Sequence, residues 1–103
     1  MALGQNHWEK PLKDLLLLEL ERSGYSKTNL FLFGSRALGT AFAVSDIDIG
    51  IKGELPLPFT LLSHLHEKID ELNLPLKVDL VDFQKVSLEF EEHAMKGAII
   101  WKN

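Results

Sequence analysis

The spacing of apolar positions changes several times along this chain, and each change predicts an element. From Glu9 to Ser23 the residues Leu12, Leu15, Leu16, Leu18 and Leu20 interleave with Lys13, Asp14, Glu19, Glu21 and Arg22. That is roughly helical spacing, with Pro11 suited to a first turn and Gly24 to the C-terminal cap. Asn29 to Phe33 (NLFLF) is a short apolar run rich in aromatics that stops at a glycine, the pattern of a buried strand. A turn at Gly34-Ser35 leads into a short helical stretch through Arg36, Ala37 and Leu38 to Gly39.

Asp46 to Lys52 (DIDIGIK) alternates strictly, with Ile47, Ile49 and Ile51 on one face and Asp46, Asp48 and Gly50 on the other. Gly53 to Pro58 is a proline-punctuated loop, and Thr60 to Asn73 returns to helical spacing through Leu61, Leu62, Leu65, Ile69 and Leu72. After Pro75, Lys77 to Phe83 (KVDLVDF) alternates again, setting Val78 and Leu80 opposite Lys77, Asp79 and Val81. A short helix around Ser87 to Ala94, a turn at Gly97 and a last apolar strand, Ala98 to Trp101, complete the order. The expected fold class is α/β (α+β): a small mixed or antiparallel sheet of about four strands, covered by helices on one side.

With 103 residues, 46% of them hydrophobic and 25% charged, the chain is expected to form a single domain, residues 1–103, with one core. A net charge of −4 leaves no basic footprint for duplex nucleic acid. There is no cysteine, hence no disulfide framework, thiolate nucleophile or Cys-based zinc site. Met1 to Lys10 lacks a signal-peptide pattern, and the longest apolar run, Leu15 to Leu18, is too short to span a bilayer, so a cytoplasmic protein without a membrane partner is expected.

A carboxylate in an isoleucine-rich strand is costly unless it is solvated, paired or bound to a cation. Asp46 and Asp48 leave the same face of their strand, a hard-oxygen pair suited to Mg²⁺ with water and substrate phosphates. Asp79 repeats the pattern, and an adjacent antiparallel strand would bring it beside the first two. Divalent metal would relieve the repulsion among the three. Upstream, the strand ending at Gly34-Ser35 offers backbone N–H groups and a hydroxyl to a phosphate, with Arg36 adding a charge-assisted fork. Bland readings stand beside these. Gly34-Ser35 alone suits any tight turn, Asp46 and Asp48 alone suit a charged strand edge, and Asp82 competes with Asp79 as the third carboxylate. Sharing a face with the middle of its strand favours Asp79, which leaves Asp82 to cap a turn.

Gly34-Ser35, ten residues, then Asp46-Ile47-Asp48 resembles the G-S-x10-D-x-D signature of the DNA polymerase beta-like nucleotidyltransferase superfamily. The stretch LFGSRALGTAFAVSDIDIGI resembles its minimal nucleotidyltransferase (MNT) branch, KVDLVDF the segment bearing that branch's third carboxylate, and GAIIW its last strand. The resemblance implies the polymerase beta-like fold, with Gly34, Ser35 and Arg36 on the triphosphate of ATP or another nucleoside triphosphate. Asp46 and Asp48 would ligate two Mg²⁺ ions together with Asp79, which would assist the attacking hydroxyl. Larger members carry further domains for their acceptors and this chain ends soon after the catalytic unit, so the acceptor site is expected from elsewhere. MNT proteins commonly pair with an HEPN-domain protein in toxin–antitoxin modules, the antitoxin transferring AMP to a tyrosine of the toxin. That implies an HEPN partner; neutralisation by contact alone and transfer to a small molecule are the alternatives.

His64 and His66, two apart on a helix, diverge by about 200° and do not form a shared metal site; they are expected at the surface. Trp8, Phe42 and Trp101 are assigned to packing rather than base stacking. The leucine-rich composition raises the prospect of a homo- or hetero-oligomer.

Overall fold

The computed structural model describes residues 7–42 and 45–103. Residues 1–6, in the N-terminal segment, and Ala43 and Val44, inside the signature stretch, lie outside the described residues. The elements follow the expected order: α1 (Glu9–Arg22), β1 (Asn29–Phe33), α2 (Ser35–Leu38), β2 (Ile47–Lys52), α3 (Phe59–Glu71), β3 (Val78–Asp82), α4 (Leu88–Met95) and β4 (Ile99–Lys102). They build one four-stranded sheet in the order β3-β2-β1-β4.

The sheet is mixed. β1 pairs antiparallel with β2 and with β4, whereas β2 and β3 run parallel, joined by the crossover through α3. The antiparallel neighbour expected for the Asp79 strand is thus corrected to a parallel one. A long helix between two paired strands carries the chain back to the starting edge, and it then re-enters in the same direction.

The period-two pattern divides the sheet into two unlike faces. Leu30, Leu32, Ile47, Ile49, Ile51 and Val78 point to one side, where they pack against Leu12, Leu16 and Leu20 of α1 and Leu61, Leu65 and Ile69 of α3. Each fully buried leucine or isoleucine contributes about 1.5–3 kcal/mol relative to exposure. The stripe of α1 also buries Glu19, whose carboxylate meets His64 Nε2 of α3 at 2.7 Å. His64, expected to be a plain surface residue, therefore ties the two helices together, and this contact holds the Glu19 carboxyl below the ordinary range. The α1 terminus closes with Tyr25 N–H donating to Leu20 O and Gly24 N–H to Glu21 O, with Gly24 at φ +86°. That paired arrangement is why a glycine follows the helix.

The opposite face carries Phe31 and Phe33 from β1 and Phe83 just beyond β3, in edge-on contact at 4.8 and 5.2 Å between ring centres. This apolar surface also needs cover, and α4 supplies it through Ala94 and Phe90. Helices consequently lie on both faces, correcting the one-sided expectation. Lys52 Nζ to Glu91 Oε2, at 2.7 Å, pins α4 to the sheet. Gly50 fits because a Cβ there would stand 2.2 Å from the Phe31 ring. Beyond α4, this face is left to the carboxylates.

Candidate active site

Gly34 ends β1 with φ +76° and ψ −158°, a conformation reserved for glycine. The chain then turns into α2, where Ala37 N–H and Leu38 N–H donate back to Gly34 O. A Cβ on Gly34 would fall 2.4 Å from Asp48 Oδ2. The turn and the middle carboxylate are therefore packed directly on each other, an association that their separation in sequence does not show.

Asp48 owes its place to register. It stands opposite Phe33 of β1 on one side and Asp79 of β3 on the other. Asp46, expected as the first residue of the strand, lies one residue before β2 and is exposed. Ile47 N–H donates to Lys77 O at 2.8 Å, which anchors the Asp46 end of β2 on β3. The three carboxylates share one sheet face, and Asp48, half-buried between the others, shows the consequence. Burial, then the charges of Asp79 and Asp46, push its carboxyl above the ordinary range.

Arg36 has a structural task. Its guanidinium donates to Ser45 O at 2.8 Å and stacks 6.0 Å from the centre of the Trp8 ring. It thereby holds the chain immediately before Asp46, and a phosphate contact from Arg36 would have to coexist with that role. Ser35 is half-buried at the start of α2, where first-turn N–H groups lie outside the helical ladder.

Asp82 does other work. It is 6% exposed, lies beside Ile51 at the far end of the register, and accepts from Leu57 N–H at 2.8 Å and Gln84 N–H at 2.9 Å. It fastens the proline-punctuated loop as well as the turn after β3. Lys77, which received no role from the sequence, lies with Nζ 3.6 Å from Asp79 Oδ1. Its place on the Asp79 face of the alternating strand was the available signal. Lys77 and Asp79 line a groove of about 480 Å³ with His66, Asp70 and Asn73. Another groove, of about 500 Å³, is lined by Tyr25, Lys27, Gly53 and Pro56 at the opposite end of the sheet, away from the carboxylates.

Hard oxygen donors with an elevated carboxyl at their centre fit a divalent cation, which would offset the like charges there. Among the described residues the side chains do not close into a group of three around a common point. Carboxylates that repel one another have no reason to converge without a cation between them.

A sheet carrying a glycine turn against paired acidic residues defines a nucleotidyltransferase-like domain. The model of the family "Polymerase beta, Nucleotidyltransferase" matches residues 26–103, and the chain belongs to that family. Over 71 residues it is 38% identical to the "Probable protein adenylyltransferase MntA" of Haemophilus influenzae, covering 69% of this chain and 62% of that protein. The chain thus spans less than two thirds of that relative's length. Among solved structures it resembles a chain of a toxin–antitoxin complex with AMP-PNP, at 26% identity and a TM-score of 0.67, over 86% of this chain and 71% of the other. It shares its fold with a chain from the complex of tri-AMPylated Shewanella oneidensis HEPN toxin with MNT antitoxin. There the identity is 21% and the TM-score 0.62, over 95% and 71% of the two chains.

Proposed function

We propose that this domain is a Mg²⁺-dependent adenylyltransferase that moves AMP from ATP to a tyrosine hydroxyl of an HEPN-domain partner, acting as the antitoxin of the pair. The observation that carries the reading is the register that sets Asp48 beside Asp79 and against Gly34. The relative described as a probable protein adenylyltransferase and the similar fold solved with AMP-PNP support the choice of activity and nucleotide. The HEPN partner and the AMP modification are carried over from the complex that shares the fold.

In this reading Gly34 and Ser35 approach the triphosphate through backbone N–H groups and the hydroxyl, while Arg36 supports the loop and the phosphate end. Asp46, Asp48 and Asp79 hold the metal, which when bound neutralises charge on the phosphates and the leaving group. The tyrosine oxygen attacks the α-phosphorus in line, the new oxygen–phosphorus bond forms as the α–β bridge breaks, and pyrophosphate departs. Asp79, at the open edge of the sheet beside the groove, orients the hydroxyl and takes up its proton. The chain works as one nucleotidyltransferase domain in a cytoplasmic setting, without duplex nucleic acid. No helix among the described residues is long and apolar enough to cross a membrane.

The test is mass spectrometry of the partner after incubation with Mg²⁺ and each nucleoside triphosphate. The expected product is one or more tyrosines gaining a nucleoside monophosphate, formed with ATP and absent with Asp48→Asn. An unmodified partner that is nevertheless neutralised in a stable complex would refute transfer in favour of contact.

A further inference from the structure

Lys77 lies one residue before β3 and two before Asp79, and its ammonium comes to the side of the sheet from which Asp79 projects. With Ile47 beside Val78, Asp48 beside Asp79 and the Lys77 carbonyl bonded to Ile47 N–H, Lys77 falls level with Asp46. One ammonium thus lies at the rim of a cluster of three carboxylates, 3.6 Å from the outermost. The Lys77 side chain is 71% exposed and that of Asp79 41%. An ion pair so open to water does little for the fold. Its effect is on the cluster: the ammonium partly offsets the negative charge gathered there and lies close to an oxygen that a metal would use. The groove shared by both residues gives the flexible side chain somewhere to go when it leaves Asp79.

We propose that Lys77 is a built-in counter-cation of the carboxylate cluster, a positioning residue that holds Asp79 in place when no divalent ion is bound and competes with that ion for it. The inference rests on the reading of Asp46, Asp48 and Asp79 as the metal site. A divalent ion carries twice the charge of the ammonium and binds several oxygens at once, so it displaces Lys77 rather than being excluded by it. Lys77 then lowers the affinity of the nucleotide-free protein for metal, leaving tight loading to the moment when the triphosphate adds its own oxygens.

The experiment is calorimetric titration of the nucleotide-free protein with Mn²⁺ at low ionic strength. Wild type is compared with Lys77→Gln, Lys77→Arg, Lys85→Gln and Asp48→Asn. Lys85 is the control because it also stands close to an aspartate of β3, 3.7 Å from the buried Asp82, but at the other end of the strand. Removing one positive charge a few ångströms from a divalent ion in a largely solvated site should tighten Mn²⁺ binding about two- to five-fold, a gain that salt erodes. Lys77→Arg and Lys85→Gln should bind as wild type does. Unchanged or weaker binding by Lys77→Gln, or an equal gain from Lys85→Gln, overturns the role of Lys77 while leaving the metal site intact. Absence of Mn²⁺ binding by both wild type and Lys77→Gln, or Asp48→Asn that binds as wild type, overturns the metal-site reading and this proposal with it.

Discussion

Gly34→Ala should be far more damaging than alanine at the neighbouring left-handed glycine, Gly39, and the structure says by how much. Both have positive φ, +76° and +77°. At Gly39, ψ is 15° and a Cβ would meet nothing within 4 Å, so alanine there bears only the left-handed penalty. That penalty is about 1–2 kcal/mol, partly offset by a less flexible unfolded chain. At Gly34, ψ is −158°, a region essentially closed to other residues, where the backbone cost is about 1–3 kcal/mol. The added Cβ would also lie 2.4 Å from Asp48 Oδ2, and turning that carboxylate off its preferred rotamer adds about 0.5–1.5 kcal/mol. The total for Gly34→Ala is about 2–4 kcal/mol, or a fall in Tm on the order of 10–20 °C for a domain of this size. Urea denaturation of both variants measures the difference. Adding Asp48→Ala to Gly34→Ala should recover only the steric share, appearing as a coupling of about 1 kcal/mol. Equal stabilities for Gly34→Ala and Gly39→Ala would refute the packing of the turn on the carboxylate.

Asp48→Asn should raise the Tm of the metal-free protein at neutral pH while abolishing transfer. The sign follows from the elevated carboxyl: folding favours the neutral form, so stability from Asp48 is present below its unfolded value near 3.8 and is lost as pH rises through the raised folded value. Thermal melts across pH should show the advantage of Asn at neutral pH disappearing in acid. Asp82→Ala should instead destabilise by about 1–3 kcal/mol, because Leu57 N–H would be left buried without its acceptor. Equilibrium unfolding checks this; Asp82→Asn, which retains an acceptor oxygen, should lose less.

The elements were legible because the periods were clean. Ile47, Ile49 and Ile51 announced a strand with one buried face, and Leu12, Leu16 and Leu20 a helix with one buried stripe. Strand direction was less so, because alternation is the same for parallel and antiparallel pairs; that β3 runs parallel to β2 depends on the crossover through α3. The cover on the second face was hidden for a related reason. Phe31 and Phe33 are apolar on the face that also bears Asp48, so its split into an aromatic half under α4 and an acidic half is tertiary. At the site, spacing and residue type singled out Gly34, Asp46, Asp48 and Asp79. The contact of Gly34 with Asp48 and the ion pair of Lys77 with Asp79 depend on how strands meet, which local pattern does not encode. Arg36 shows the converse: the charge stood out, but its engagement with Ser45 O and Trp8 is a matter of folding.

Transfer of a nucleoside monophosphate to a protein is tested with ATP labelled at either the α- or the γ-phosphate, incubated with Mg²⁺ and the proposed HEPN-domain partner. The α-label should become covalently attached to the partner, the γ-label should leave with pyrophosphate, and Asp46→Asn and Asp48→Asn, folded by circular dichroism, should attach neither. Attachment of the γ-label, or α-labelling undiminished in both variants, would contradict it.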